Sequence, residues 1–319
     1  MIQYRTYRNT DSPGLAEVWN DALSGRGAVR LRTSSPLERF TFSKLFFDPK
    51  GLIIAEDDGR LIGFVHAGFG ADAARNTLDT QTGVTCMLVV RPSYRGRGIA
   101  TELLRQSEQY LRGRGAARLF GGAMAPLNPF YLGMYGGSDL PGVLASDASA
   151  DLFFTRRGYS VCRTVKVLQR RLAVPIKVFD PRFVNHRQRF ECQEDATSRL
   201  SSWWAYNVYS GAEPRVFSLI DKTNNESVAQ ATMWEMEGFS YRWGLPAAGV
   251  TDWWVKPELR KQGIGKFLMT QVLRKAQDEL LELIELQLAS DNEAAFKLCQ
   301  GLGFEQVDTG RMYEKREQG

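Results

Sequence analysis

Residues 90–104 read VRPSYRGRGIATELL, and residues 255–269 read VKPELRKQGIGKFLM. The two stretches agree at Val90 and Val255, Pro92 and Pro257, Arg95 and Arg260, Gly98 and Gly263, Ile99 and Ile264, with a constant offset of 260 − 95 = 165. In a chain of 319 residues that is about half the length, so an internal repeat is expected. Each stretch follows an apolar run that suits a strand, TCMLVV before the first and VTDWWV around the second. Each precedes helical spacing, as in Ile99, Leu103, Tyr110 and Leu111. A strand, a glycine-bearing loop and a helix together make an anion site, because the first helical N–H groups lack an intrahelical acceptor and the helix dipole is positive there. Gly96 and Gly98, and again Gly263 and Gly265, would let the backbone approach a phosphate closely, since no Cβ intervenes. A plain glycine turn explains one such pair well and two copies with the same flanks poorly. The Rossmann fingerprint fails, because GRGIAT lacks the third small position, and the Walker pattern is absent.

Composition sets the wider frame. A chain 43% hydrophobic and 24% charged suits two soluble domains of ordinary size, each able to bury a core. Cys86, Cys162, Cys192 and Cys299 stand far apart with no CxxC spacing, which predicts reduced thiols. With only His66 and His186 and no ligand-spaced cluster, no metal is expected. The opening MIQYRTYRNTDSPG has neither a long apolar core nor a small-residue cleavage site, and no apolar run approaches the roughly 20 residues of a membrane helix, so a cytoplasmic protein without a membrane partner is expected. Residues 1–170 carry 22 basic and 15 acidic side chains (+7), and residues 171–319 carry 19 and 21 (−2). The basic half would attract anions. Its charges are scattered rather than striped and no nucleic-acid-binding motif appears, so no nucleic-acid partner is expected.

Along the chain, IQYRTYR reads as a strand, DSPGLAEVWNDALSG as a helix with Leu15, Val18, Trp19 and Leu23 on one stripe, and PLERFTFSKLFF as a second helix. LIIAEDD and RLIGFVHAGFG, separated by Asp57, Asp58 and Gly59, read as a hairpin. ARLFGGAM and a segment from Tyr159 are further strands. The second half repeats the order with a helix around EDATSRLSSWWAYNVY, strands RVFSLID, ESVAQATMWEM and VTDWWV, helix GKFLMTQVLRKAQ, strand LIELQL, helix NEAAFKLC and a strand from Phe304. LAVPIKVFDP, with Pro175 and Pro181, marks the boundary, giving domains 1–174 and 175–319.

RGRGIA at 95–100 and RKQGIG at 260–265 resemble the acetyl-CoA motif [QR]xxGx[GA] of the GCN5-related N-acetyltransferase (GNAT) superfamily, once per half. The Asn-led helix NEAAFKLCQGLGF at 292–304 is a further mark, and DLFFTRRGY at 151–159 is its weaker counterpart. The resemblance implies an α/β (α+β) fold of two tandem domains, each a mixed, mostly antiparallel sheet flanked by helices. It implies that the pyrophosphate of acetyl-CoA sits on Arg95, Gly96, Arg97, Gly98, Ile99 and Ala100, or on Arg260, Lys261, Gln262, Gly263, Ile264 and Gly265, with Asn292 nearby. The pantetheine arm would pair with the main chain of Leu88, Val89 and Val90, or of Trp253, Trp254 and Val255. The first half also carries about 20 extra residues, since Gly98 to Gly158 spans 60 and Gly263 to Gly303 spans 40. They fall near 126–150, in a Gly-, Pro- and aromatic-rich segment that either lines an acceptor pocket or packs against the other domain.

Acetyl transfer to an amine needs a neutral nucleophile, a polarised thioester carbonyl and a proton for the thiolate. Where the family places a tyrosine for that proton, this chain has Phe154 and Cys299. Tyr131, Tyr135, Tyr159 and Cys299 remain candidate donors, and Asp252, Glu235 and Glu285 candidate bases. Six of seven tryptophans, Trp203, Trp204, Trp234, Trp243, Trp253 and Trp254, lie in the second half and either line a pocket or fill the core. The expected activity is transfer of acetyl from acetyl-CoA to a small-molecule or protein primary amine in a ternary complex. A non-catalytic acyl-CoA-binding protein, or one catalytic domain with one structural domain, remain open beside it.

Overall fold

The computed structural model describes residues 1–122, 124–176, 178–196 and 202–316. The first half runs β1 (Ile2–Thr6), α1 (Ser12–Ala22), α2 (Ser35–Leu37), β2 (Leu52–Asp57), β3 (Arg60–Ala71), β4 (Leu78–Val90), α3 (Ile99–Gly113), β5 (Arg118–Gly121), β6 (Val143–Leu144), α4 (Ala148–Thr155) and β7 (Tyr159–Arg171). The second runs α5 (Phe183–Arg189), β8 (Phe190–Ala196), α6 (Trp203–Tyr209), β9 (Arg215–Asp221), β10 (Glu226–Glu235), α7 (Glu237–Trp243), β11 (Ala247–Val255), α8 (Ile264–Asp278), β12 (Leu283–Ala289), α9 (Glu293–Gly301) and β13 (Glu305–Lys315).

By the packing of the chain, two compact units result. Unit 1 takes Met1–Thr164, Ser202–Gly211 and the chain from Thr309 onward, and unit 2 takes Val165–Ser201 and Ala212–Asp308. The division falls inside β7 and again inside β13. Strand pairing ignores sequence distance, so punctuation by proline could not reveal it.

In unit 1 the sheet order is β1-β2-β3-β4-β5-β13. Every neighbouring pair is antiparallel except β4 and β5, which run parallel from Thr82↔Arg118 to Thr85↔Gly121. The hairpin joining β2 to β3 turns through Asp58 (φ 48°) and Gly59 (φ 79°), two successive left-handed residues of the kind a two-residue loop requires. On α1, Leu15, Val18 and Trp19 are buried, and the Trp19 indole donates to the Val29 carbonyl at 2.8 Å. On α3, Ile99, Leu103, Leu104 and Leu111 face the sheet. α6 joins this unit through Lys44, whose Nζ donates to the carbonyls of Asn207 (2.7 Å), Val208 (2.9 Å) and Ser210 (3.1 Å) at the helix end, and through Phe46 stacked on Trp204.

Unit 2 repeats the pattern as β7-β12-β11-β10-β9-β8. Here β11 and β12 are the parallel pair, from Ala247↔Leu283 to Val250↔Leu286. Its core combines Ile264, Phe267, Leu268, Val272 and Leu273 of α8 with sheet residues such as Leu219, Ala231 and Ile284. The expected mixed, mostly antiparallel sheets with flanking helices are therefore present twice.

Two helix expectations need correction. The helix expected around residues 194–209 begins only at Trp203, because residues up to 196 form β8 against β9 (Glu194↔Phe217, Asp195↔Val216), while 197–201 lie outside the described residues. Helix-tolerant side chains on an edge strand obscured the pairing. PLERFTFSKLFF forms a shorter helix than expected, α2 running on directly into a π-helical stretch over Glu38–Phe42. Among the described residues, no helix is long and apolar enough to cross a membrane.

Candidate functional site

The site in unit 1 begins where β4 and β5 part. Pairing ends at Thr85↔Gly121, followed by the Gly122 N–H donating to the Thr85 carbonyl at 3.1 Å, yet β4 continues to Val90. A bulge at Cys86 marks the same point, since His66 opposes Met87 and Ala67 opposes Thr85. Beyond it, β4 remains paired to β3 and turns its other edge toward the gap.

At the end of β4 the quoted motif closes a fixed loop. Pro92–Tyr94 forms one tight turn, and Arg95 donates from Nε to the Val90 carbonyl (3.2 Å) and from Nη2 to the Ala22 carbonyl (3.1 Å). Gly96 and Gly98 have φ of 77° and 80°, values that disfavour any side chain. A Cβ built on either would meet no described atom within 4 Å, so the backbone there faces open space. Gly98 is also the residue before α3, which places unpaired first-turn N–H groups beside that space.

A cavity of about 410 Å³ joins these parts. Its walls are Thr85–Val90, Tyr94, Arg95, Gly96, Gly98–Thr101 and, from the other side, Gly122, Tyr135, Gly142, Val143, Asp147, Ser149, Ala150, Phe153, Phe154 and Arg157. The inserted segment therefore walls this cavity. A second, smaller cavity of about 230 Å³ shares Leu23, Arg95, Tyr135 and Asp147 with the first and is completed by Ala22, Ser24, Gly25, Gly27, Ala28, Leu144 and Ser146.

Among the candidate proton donors, Tyr135 alone lines the cavity. It is half-buried, and its hydroxyl accepts from the Leu144 N–H at 3.2 Å. Tyr131 sits in the core instead, 1% exposed, stacked near Trp19 and 2.9 Å from Nδ1 of His66, and burial holds its phenol well above the ordinary range. Tyr159 is buried and donates to Glu108 at 2.9 Å. Cys299 is fully buried among the apolar residues of unit 2, and burial pushes its thiol up to about 12, which makes it a packing group and removes it as an acid. Phe154 stacks on Tyr313 with centroids 4.9 Å apart, against Gly121, where a side chain would collide with its ring. Among the bases, Asp252 has φ 48° at a bulge of β11, Glu235 is exposed, and Glu285 is buried and accepts from Gln169 at 2.6 Å. The structure gathers none of the three in the unit 1 cavity.

Sequence reading missed Asp147, Phe153 and Arg157 on the cavity. Phe153 and Arg157 left a trace, in the DLFFTRRGY that stands for the family's closing motif.

The second motif has the same skeleton and different surroundings. Arg260 Nε donates to the Val255 carbonyl at 3.1 Å, Gly263 has φ 83°, and Lys261 adopts φ 61° where the first copy has Gly96. In front of Gly263, however, stands the guanidinium of Arg182. Asn292 uses its side-chain oxygen as the cap of α9, accepting from the Ala295 N–H at 3.1 Å.

A sequence model of the acetyltransferase (GNAT) family matches residues 15–135 and 181–304. An acetyltransferase of Sodalis glossinidius (strain morsitans) is 28% identical over 118 residues, which cover 37% of this chain and 72% of that protein. Mycothiol acetyltransferase of Paenarthrobacter aurescens (strain TC1) is 42% identical over 59 residues, only 18% of either chain. A solved tandem GNAT protein from the clavulanic acid biosynthesis pathway superposes with a TM-score of 0.65 over 100% of both chains at 14% identity, a likeness of fold alone. Matched by one family model in both halves, and built twice around a parting pair of parallel strands and a glycine loop, the chain belongs to the acetyltransferase (GNAT) family.

Proposed function

We propose that unit 1 binds acetyl-CoA and transfers its acetyl group to a primary amine by direct attack in a ternary complex. One observation carries this reading: the cavity is continuous from the open glycine loop, along the free edge of β4, to Tyr135 of the inserted segment. The pyrophosphate would lie on the amides around Gly96–Thr101, and the pantetheine arm along Leu88–Val90. The adjoining smaller cavity would receive the acceptor, with the carboxylate of Asp147 at its mouth to attract an ammonium. The neutral amine nitrogen then bonds to the thioester carbonyl carbon, the C–S bond breaks, the surplus amine proton leaves to water, and the thiolate takes a proton from Tyr135.

Phe154 at the family's tyrosine position favours a second reading, a protein that holds acyl-CoA without turnover. Calorimetry with acetyl-CoA and release of CoA across an amine library separate the two. The expected result is binding and release that Gly98→Glu abolishes together, because that side chain puts bulk and negative charge where a phosphate belongs. Binding without release for any amine supports the second reading, and undiminished binding by the Gly98→Glu variant removes both.

A further inference from the structure

Unit 2 supplies an occupant for its own glycine loop. A Cβ built on Gly263 would lie 2.9 Å from Cζ of Arg182 and 3.0 and 3.1 Å from Nη2 and Nε, whereas one built on Gly98 meets nothing within 4 Å. The guanidinium is held by a fork to Asp180, Nε to Oδ1 at 2.8 Å and Nη2 to Oδ2 at 2.7 Å. That carboxylate is 7% exposed and stands 3.8 Å from Nζ of Lys266 on the first turn of α8. Behind the pair, α5 is fastened to the loop. His186 Nε2 lies 3.0 Å from the Gln262 carbonyl, and Phe183 and His186 pack on Phe267 with centroids 5.1 and 5.5 Å away.

A diphosphate on this loop needs the room in front of Gly263 and cations still able to pair with it. Arg182 takes the room. Asp180 already neutralises Arg182, stands beside Lys266, and adds a negative charge that would repel the ligand. We propose that Asp180 and Arg182 form a latch over a latent CoA site in unit 2, closed in the resting chain and opened when the pair is removed. The proposal rests on the reading that the glycine motif takes the coenzyme, and its test keeps the two apart.

Isothermal titration of the full chain with CoA measures stoichiometry for the wild type, Gly98→Glu, Arg182→Ala, and the Gly98→Glu, Arg182→Ala double variant. One CoA per chain is expected for the wild type, none for Gly98→Glu, two for Arg182→Ala and one for the double variant, with affinity at the opened site raised at least tenfold. Asp180→Asn, which loosens the fork without truncating it, is expected to give a smaller gain in the same direction, and it serves if Arg182→Ala melts early. Two molecules bound by the wild type, with one lost on Arg182→Ala, would make Arg182 a phosphate clamp and overturn the latch. No gain in either Arg182→Ala background also overturns it. Undiminished binding by Gly98→Glu strikes instead at the motif assignment in unit 1.

Discussion

Tyr135 combines access to the cavity with a hydroxyl that is held in place by accepting from the Leu144 N–H. Tyr135→Phe is therefore expected to lower kcat by about 10²-fold, the lower end of what a positioned proton donor contributes, with KM for acetyl-CoA unchanged. Steady-state kinetics on any accepted amine checks it, with a thermal melt to show that the unpaired Leu144 N–H has not unfolded the segment. A fall in KM and kcat together, or no fall in either, removes Tyr135 from the chemistry. The neighbouring Tyr131 illustrates where sequence reading stops. Both tyrosines stand within two residues of a glycine in one inserted segment, but Tyr131, at φ 71°, meets His66 in the core while Tyr135 lines the cavity. Nothing in the order of side chains distinguishes the two, because a single backbone reversal decides it.

At the scale of elements, the strand, loop and helix of each motif were legible because their determinants are local: an apolar run, a left-handed glycine, a helical stripe. α5 over the second loop was not, since Arg182 and Gly263 are brought together only by folding. Asp180 gives that contact a pH signature. Its carboxyl is depressed from the ordinary 3.8 to about 2, chiefly by the Arg182 fork. A group depressed on folding stabilises the fold fully above its unfolded value, so its contribution to unit 2 is complete above about pH 4 and fades as pH falls through about 2. Asp180→Asn should flatten that stretch of the acid-unfolding curve, followed by circular dichroism, and an unchanged curve would show the pair to be open in solution. α6 offers a second case. Lys44 holds three carbonyls at its C-terminal end, and Lys44→Met leaves them buried without a donor at a cost of about 2 kcal/mol. The melting temperature should drop, with protease cutting first near Trp203–Tyr209. Cutting elsewhere first would show that the lysine does not anchor this helix.

For the whole molecule, the internal repeat announced two domains, but the pairing of β5 with β13, far along the sequence, left no local signal. A chain ending at Asp308 keeps the first motif intact but loses the β13 residues that pair with β5 and β6, Gly310↔Leu144 and Tyr313↔Gly121 among them. It is expected to lose CoA binding in unit 1 by at least tenfold in calorimetry, although every residue of the proposed site is present. Retained binding would show that the cavity stands without that strand. The same exchange governs how the protein is born. A ribosome delivers the motif at 95–100 long before it delivers residues 309–315, so the nascent chain carries unit 1 with one bare sheet edge until that strand appears. On the proposed reading, coenzyme capture in unit 1 then awaits the closing of that edge, and a motif made early matures only when a strand made much later arrives.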